Sequence, residues 1–383
     1  MIPFDYQPRT RIVFGPGKIE LLGALAGELG ARRALVVSDP GIVSAGHAQH
    51  GLDSLRAAGI DAQLFDGVSE NPTTDNVEAG TALARRYDPE LIVGMGGGSS
   101  MDCAKGINFI YSNGGRMHDY WGVGKATREM LPMIAVPTTA GTGSETQSFA
   151  LISDAKTHVK MACGDKKASF RIALLDPMLT VSQPASVTAL TGIDAIAHAL
   201  ETYVTKVRNA ASLAFSREAW LLLGENFGRV LADPQDLDAR SGMQLGACFA
   251  GLAIENSMLG ATHALANPLT TRYSIVHGRA IGLMLPHVIR FNGQEFGHWY
   301  RDLLEGTGGA NGFPDPASGY EGLADFVAEL AQRAKLPRRL SECGVQEDKL
   351  SELAAEAAKQ WTGSFNPRRV GETELLELYK TAF

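Results

Sequence analysis

Apolar and polar positions follow two different rhythms along the chain. Up to about residue 180, short β-branched runs end in turn residues and alternate with segments of helical period. Arg33–Val37 leads into Ser38-Asp39-Pro40-Gly41, Leu91-Ile92-Val93 into a glycine cluster, and Met133–Val136 into Pro137-Thr138-Thr139. Between them, residues 76–87 and 99–110 repeat apolar side chains at helical spacing. Parallel strands need a crossover, and a helix usually supplies it, so this order predicts a parallel sheet covered by helices. Beyond Pro184 the texture changes to long Ala- and Leu-rich stretches over residues 186–204, 210–231 and 237–257, with further helical segments to the end. The pattern predicts an α/β domain over residues 1–180 and an all-helical domain over 181–383, with the boundary marked by Asp176-Pro177 and Pro184. The Gly- and Pro-rich stretch from Gly306 to Gly319 is expected to be a mobile surface loop.

Length agrees with this division, since 383 residues exceed an ordinary single core. The 45% hydrophobic and 20% charged composition is that of a globular protein. A net charge of −7 without any Lys/Arg run argues against nucleic acid or an anionic membrane as the main partner. Cys103, Cys163, Cys248 and Cys343 form no C-x-x-C pair, which disfavours a disulfide framework or a thiolate zinc site and fits a reducing compartment. The first residues are too polar and interrupted for a signal peptide, and the uncharged stretch Ser241–Ile254 is too short to span a bilayer. A cytoplasmic protein is expected.

Two loops carry the signature of a nucleotide site. Gly94-Met95-Gly96-Gly97-Gly98-Ser99 follows an apolar strand and opens a helix that Ser99 is expected to cap. Glycine lets the backbone approach a diphosphate, and the N–H groups of a helix start attract anions. The spacing differs from G-x-G-x-x-G, and a tight turn without ligand uses the same residues. Pro137-Thr138-Thr139-Ala140-Gly141-Thr142-Gly143-Ser144-Glu145 follows another apolar strand with small residues and hydroxyls. Ligands of parallel sheets gather at the carboxyl ends of strands, so two such loops point to one shared cofactor crevice. Asp39, just past its own strand, can accept ribose hydroxyls and would repel a 2′-phosphate; Asp-Pro-Gly is also simply a good turn.

The helical half holds a second pattern. Asp194 and His198 stand at i and i+4, one turn apart on one helix face. His263 and His277 lie in apolar, Gly- and Ala-rich surroundings, where a core histidine bonded to a carbonyl is the ordinary alternative. Together, one carboxylate and three imidazoles form a nitrogen/oxygen set without sulfur, suited to Fe(II) or Zn(II), with Mn(II) or Co(II) also compatible.

These residues, in this order, resemble the iron-containing (group III) alcohol dehydrogenases along essentially the whole chain. The matching stretches are Ile12-Val13-Phe14-Gly15-Pro16-Gly17, Asn71-Pro72-Thr73, Gly96-Gly97-Gly98-Ser99 with Asp102 and Lys105, and the loop Pro137–Glu145. Asp176-Pro177, Gly192-Ile193-Asp194 through His198, and His277-Gly278 with Leu285-Pro286-His287-Val288 complete the match. The resemblance implies a dinucleotide-binding α/β domain, a helical metal-binding domain and an active site in the cleft between them. It implies a metal held by Asp194, His198, His263 and His277. The implied cofactor contacts are Asp39, Asn71, Gly96, Gly97, Gly98, Ser99, Thr138, Thr139, Thr142, Lys160 and Leu179, and the acidic residue at Asp39 implies NAD rather than NADP.

The implied reaction is hydride transfer between an alcohol or aldehyde and nicotinamide, with the metal polarising the substrate oxygen. The implied assembly is a homodimer or larger homo-oligomer. Many members carry a further histidine, used in proton transfer, four residues after the third ligand; here that position is Asn267. No catalytic residue beyond the metal ligands is therefore assigned. The neighbourhoods of Phe149, Ile254 and Leu259 suggest an apolar substrate pocket. Two other functions share parts of this pattern: a dehydroquinate-synthase-like lyase that uses NAD without net oxidation, and a non-catalytic nucleotide-binding protein. The first calls for converging basic residues, and the helical half offers little beyond Arg272, Arg279 and Arg290.

Overall fold

The structure, a computed structural model, describes residues 2–309 and 312–383. The chain divides into two compact units, one spanning Gln7–Gln183 and the other built on Pro184–Phe383 with the residues up to Tyr6.

In the first unit the strands are β1 (Arg11–Phe14), β2 (Arg33–Val37), β3 (Asp61–Phe65), β4 (Leu91–Gly96), β5 (Gly122–Val123), β6 (Met133–Pro137), β7 (Phe149–Ser153), β8 (Lys160–Gly164) and β9 (Ile172–Leu175). Its helices are α1 (Leu22–Glu28), α2 (Pro40–Ser44), α3 (His47–Ala57), α4 (Thr74–Tyr87) and α5 (Gly98–Asn113). β1, β9, β6, β4, β2 and β3 form, in that order, a six-stranded sheet paired in parallel throughout. The inner strands are buried on both faces, which is why they read as unbroken apolar runs rather than alternating ones. Ala34, Val36, Leu91, Val93, Ile134 and Val136 enter one core, whereas Leu35, Val37, Ile92, Met133 and Ala135 enter the other.

The direction of winding reverses inside this sheet. From β2 the chain crosses outward to β3, and from β4 it crosses the opposite way to β6. The carboxyl ends of β2 and β4 therefore flank a topological switch point, where a doubly wound sheet opens a crevice for ligands. A small second sheet, ordered β5-β8-β7, was not anticipated from the pattern; β7 and β8 pair antiparallel, and β5 adds only two residues.

The second unit contains α6 (Ala185–Val204), α7 (Ala210–Ala232), α8 (Leu237–Glu255), α9 (Ala261–Tyr273), α10 (His277–Glu305), α11 (Gly319–Arg333), α12 (Leu350–Ala357) and α13 (Glu372–Ala382). α6 packs against α7, α8 and α10, and from Gly192 to Val204 it is buried on every side. Such a helix is expected to be apolar all round. Asp194, His198 and Glu201 break that rule, and a buried charge without a partner is costly. Of the Gly306–Gly319 stretch, Ala310 and Asn311 lie outside the described residues, while Pro316–Ser318 forms a single 3-10 turn before α11. Among the described residues, no helix is long and apolar enough to cross a membrane.

Candidate metal centre and cofactor loops

α6 presents Asp194, His198 and Glu201 at i, i+4 and i+7, on one face. His263 lies in the first turn of α9, and His277 is the first residue of α10. The chain brings these segments together around Asp194. Its Oδ1 lies 3.4 Å from Nε2 of His198, 3.5 Å from Nε2 of His263 and 3.6 Å from Nε2 of His277. The rings of His198 and His263 stack at 4.9 Å, and those of His263 and His277 tilt together at 5.4 Å. Ligand atoms of Asp194, His263 and His277 fall within 4.8 Å of one another.

Two atoms test whether a cation fits here. Asp194 Oδ1 and His263 Nε2 are buried, and neither has a hydrogen-bond partner. Buried polar atoms of folded proteins are nearly always satisfied, and an acceptor oxygen facing three imidazole nitrogens is what a cation would satisfy. The residues present fit a divalent ion.

Electrostatics of the cluster follow from the same geometry. Burial opposes ionisation of Asp194, but attraction to His198, His263 and His277 outweighs it and holds the carboxyl well below its usual range. Burial likewise opposes charging of His263, yet Glu201 and Asp194 push its pKa up to about 9. Glu201 Oε2 sits 2.5 Å from His263 Nδ1. The sequence reading passed over Glu201, although Asp194, His198 and Glu201 share one helical face and the signal was there to read.

The three loops at the carboxyl ends of β2, β4 and β6 interlock. Asp39 Oδ1 accepts the N–H groups of Gly41 and Ile42 at the start of α2, while Oδ2 accepts the hydroxyl of Ser100 on α5 at 3.0 Å. Asp39 is thus both the turn residue and a carboxylate at the switch point. Gly96 ends β4 with φ +144°, and a Cβ there would come within 2.5 Å of Ser100 Oγ. At Gly98 a Cβ would lie 2.7 Å from Thr142 Cγ2, so the glycine loop touches the threonine loop where a side chain would fill the space. Ser99 is not the helix cap that its position suggested. α5 begins earlier, with Gly97 at the cap and no side chain bonded to its first N–H groups, and Ser99 Oγ instead accepts the backbone N–H of Asn71. An uncapped helix start beside glycines is a ready anion site.

Thr138 is buried with Oγ1 lacking a hydrogen-bond partner, and Thr142 Oγ1 accepts the N–H of Ser144. Behind this loop, fully buried Lys105 donates to Ser144 O, Ser144 Oγ and Phe149 O, each at 2.8 Å. Asp102 accepts from Ser144 Oγ and from the N–H of Leu151. Burial pushes the neighbouring Glu145 carboxyl up to about 7, with Lys105 partly opposing.

Comparison with known proteins decides the family. Residues 8–177 match the model of the iron-containing alcohol dehydrogenases, and residues 188–383 match the C-terminal model of the Fe-containing alcohol dehydrogenase family. The chain belongs to the iron-containing alcohol dehydrogenase family. It is similar to the 1,3-propanediol dehydrogenase of Citrobacter freundii, with 34% identity covering 99% of each chain. Similarity to the NAD-dependent methanol dehydrogenase of Bacillus methanolicus is 32% over 97% of each. A crystal structure of 1,3-propanediol oxidoreductase superposes with a TM-score of 0.95 at 34% identity, covering 100% of both chains.

Membership makes this an oxidoreductase acting on CH–OH groups, and it puts the family's recurring segments in physical terms. Asp176, ahead of Pro177, accepts the N–H groups of Gly17, Ile19 and Met178, and so staples the loop after β1 to the turn after β9. Thr73 caps α4, and Asn71 takes a left-handed φ of 54°. Leu179 is part of the core beneath the sheet, while Lys160 opens β8 on the surface; burial pushes the Asp102 carboxyl up, with Lys105 and, more weakly, Lys160 opposing. Asn267 donates its amide to Gln360 Oε1 at 3.0 Å. An amide held this way does not titrate near neutrality. Phe149 packs over Gly164, and Ile254 is buried in α8.

Proposed function

We propose that this protein is a metal-dependent, NAD-linked alcohol dehydrogenase and aldehyde reductase. Asp194, His198, His263 and His277 hold a divalent cation, Fe(II) or Zn(II), and the loops after β2, β4 and β6 hold NAD. One observation carries the reading: three imidazole Nε2 atoms face a single buried carboxylate oxygen that has no hydrogen-bond partner.

A cation there supplies Lewis acidity toward a substrate oxygen, and NAD supplies the hydride acceptor or donor. The chain's own residues do the positioning. Asp194, His198 and His263 are almost wholly buried, whereas the His277 side chain is 33% exposed, so the cluster is open to a small alcohol or aldehyde on the His277 side. The uncapped start of α5 receives the diphosphate, with Gly96, Gly97, Gly98 and Ser99 allowing close approach. Thr138, Thr139, Thr142, Asn71, Lys160 and Leu179 complete the proposed contacts, and the free Thr138 hydroxyl is suited to a cofactor atom. Asp39 Oδ2, which accepts only the Ser100 hydroxyl, keeps one accepting site for a ribose hydroxyl and repels a 2′-phosphate, which favours NAD over NADP. With Asn267 in place of an imidazole, proton release relies on groups other than a histidine at that position.

The enzyme is taken to work as a homodimer or larger homo-oligomer in the cytoplasm. Support comes from β1 at an edge of the sheet with Phe14 37% exposed, and from four cysteines of which none is joined in a disulfide. Short alcohols such as 1,3-propanediol and methanol, which name two relatives, are the first substrates to assay. The deciding variant is His263→Ala. Metal-dependent NADH formation is expected to vanish while NAD binding stays within about twofold, less than 0.5 kcal/mol. Full activity in that variant would remove the ligand assignment, and turnover without net NADH would point to the lyase.

A further inference from the structure

We propose that Glu201 is the positioning residue of the metal centre, fixing both the ring tautomer of His263 and the seat of the helix that carries it. The inference rests on the metal reading above and goes beyond its four ligands.

Glu201 is 4% exposed and projects from α6, the helix that also carries Asp194 and His198. Its two oxygens serve two neighbouring residues of α9. Oε2 lies 2.5 Å from Nδ1 of His263, and Oε1 accepts the backbone N–H of Thr262 at 2.6 Å. α9 has no side-chain cap of its own, because its capping position is Gly260. A carboxylate from α6 fills that role, together with Asn366 Oδ1 on the N–H of Ala261. Gly260 leaves room for both acceptors, since a Cβ there would stand 3.0 Å from Asn366 Oδ1 and 3.1 Å from Glu201 Oε1.

The consequence for His263 is chemical. A carboxylate oxygen beside Nδ1 requires a proton on that nitrogen, because two lone pairs at this distance repel. The neutral ring therefore carries Nδ1–H, and its Nε2 lone pair points toward Asp194 Oδ1, where a cation needs it. The hydrogen bond also increases the donor strength of Nε2. One side chain thereby ties α6 to the first turn of α9 and gives His263 the only neutral tautomer able to ligate through Nε2.

Glu201→Gln tests this with little change of shape. An amide has one acceptor oxygen and one NH2 group. If the oxygen keeps Thr262 N–H, the NH2 meets Nδ1, drives the proton to Nε2 and removes the lone pair. If the oxygen keeps His263, the NH2 opposes Thr262 N–H and the helix start loses its acceptor. We expect the variant's affinity for Zn(II), titrated into full-length metal-free protein against a chromophoric chelator, to fall about 10- to 100-fold. NADH binding, followed by fluorescence, is expected to be unchanged, as is the far-ultraviolet circular dichroism of the metal-free protein.

His263→Ala runs alongside. If neither wild type nor variants bind Zn(II) stoichiometrically, the metal reading itself has failed. Loss of Zn(II) in His263→Ala with wild-type affinity in Glu201→Gln would overturn the Glu201 proposal alone. A second measurement needs no folded Glu201 variant: in wild-type zinc protein labelled with 15N-histidine, one ring should show a protonated Nδ1 with a strongly deshielded proton, absent from His263→Asn. A merely structural carboxylate would not produce that signal, and finding His263 protonated at Nε2 would also overturn the proposal.

Discussion

At the residue scale, the centre is governed by who holds a proton. In the metal-free protein His263 has its pKa pushed up to about 9, well above the ordinary imidazole range, because Glu201 and Asp194 outweigh the opposing effect of burial. A ligating imidazole must be neutral, so cation and proton compete for this ring. Below about pH 9 the metal-free ring is charged, and binding must expel one proton. Apparent Zn(II) affinity should therefore rise about tenfold per pH unit up to that region and flatten above it. Calorimetric titrations in buffers of different ionisation heat measure the proton released, and a flat affinity from pH 6 to 9 would contradict the assignment.

Gly98 shows the same economy of atoms in the other unit. A methyl group there would sit 2.7 Å from Thr142 Cγ2 and 2.9 Å from its hydroxyl. Gly98→Ala should destabilise the protein by about 1–3 kcal/mol. It should also weaken NAD binding about tenfold or more if the loops part to accept it. Unchanged NAD affinity by fluorescence titration would show that the loop contact is dispensable.

At the element scale, helices bring distant residues to one point by close approach. α10 begins against α6: a Cβ on Gly278 would lie 2.2 Å from the carbonyl oxygen of Leu190. That approach sets His277, the neighbouring residue, 3.6 Å from Asp194. Gly278→Ala must move backbone rather than a flexible side-chain tip, so we expect a loss of about 1–3 kcal/mol in stability together with weaker Zn(II) binding. Chemical denaturation and metal titration of the variant test both, and retention of full metal affinity would separate the helix contact from the centre.

The same scale explains what the pattern could reveal. Residues 34–37 and 133–136 are apolar without interruption and bounded by turns, and the observed β2 and β6 match them to within a residue. α6 and α7 likewise follow the expected stretches. The β5-β8-β7 sheet escaped notice because its strands are short and β5 contributes only two residues, too few to establish a period. Ser99 was misassigned as a cap because helix starts are set by backbone pairing, and here glycine replaced the expected side-chain cap.

On the scale of the whole molecule, ligands should be felt as stability. A cation that binds only the folded chain adds RT ln(1 + [L]/Kd), about 2.7 kcal/mol at a concentration one hundred times Kd. Removing it with a chelator should lower the melting temperature of the helical unit by about 5–10 °C. Readdition of Zn(II) should restore it, and NAD should shift melting even in chelated protein. Scanning calorimetry decides, and an unaltered transition after chelation would argue that no tightly held ion is present.

The parallel sheet, the helical second half and the glycine and threonine loops were legible in the order of residues, because periodicity and turn chemistry are local properties. That order also supplied the spacing of Asp194 and His198, since one helical turn fixes their common face. Folding in three dimensions was needed to bring His263 and His277 to the same carboxylate oxygen, Glu201 to His263, and Asp39 to Ser100 at the switch point. These meetings join residues 60 or more positions apart, and no local rule carries such information; the packing of α10 against both α6 and α9, and of β2 beside β4, supplies it.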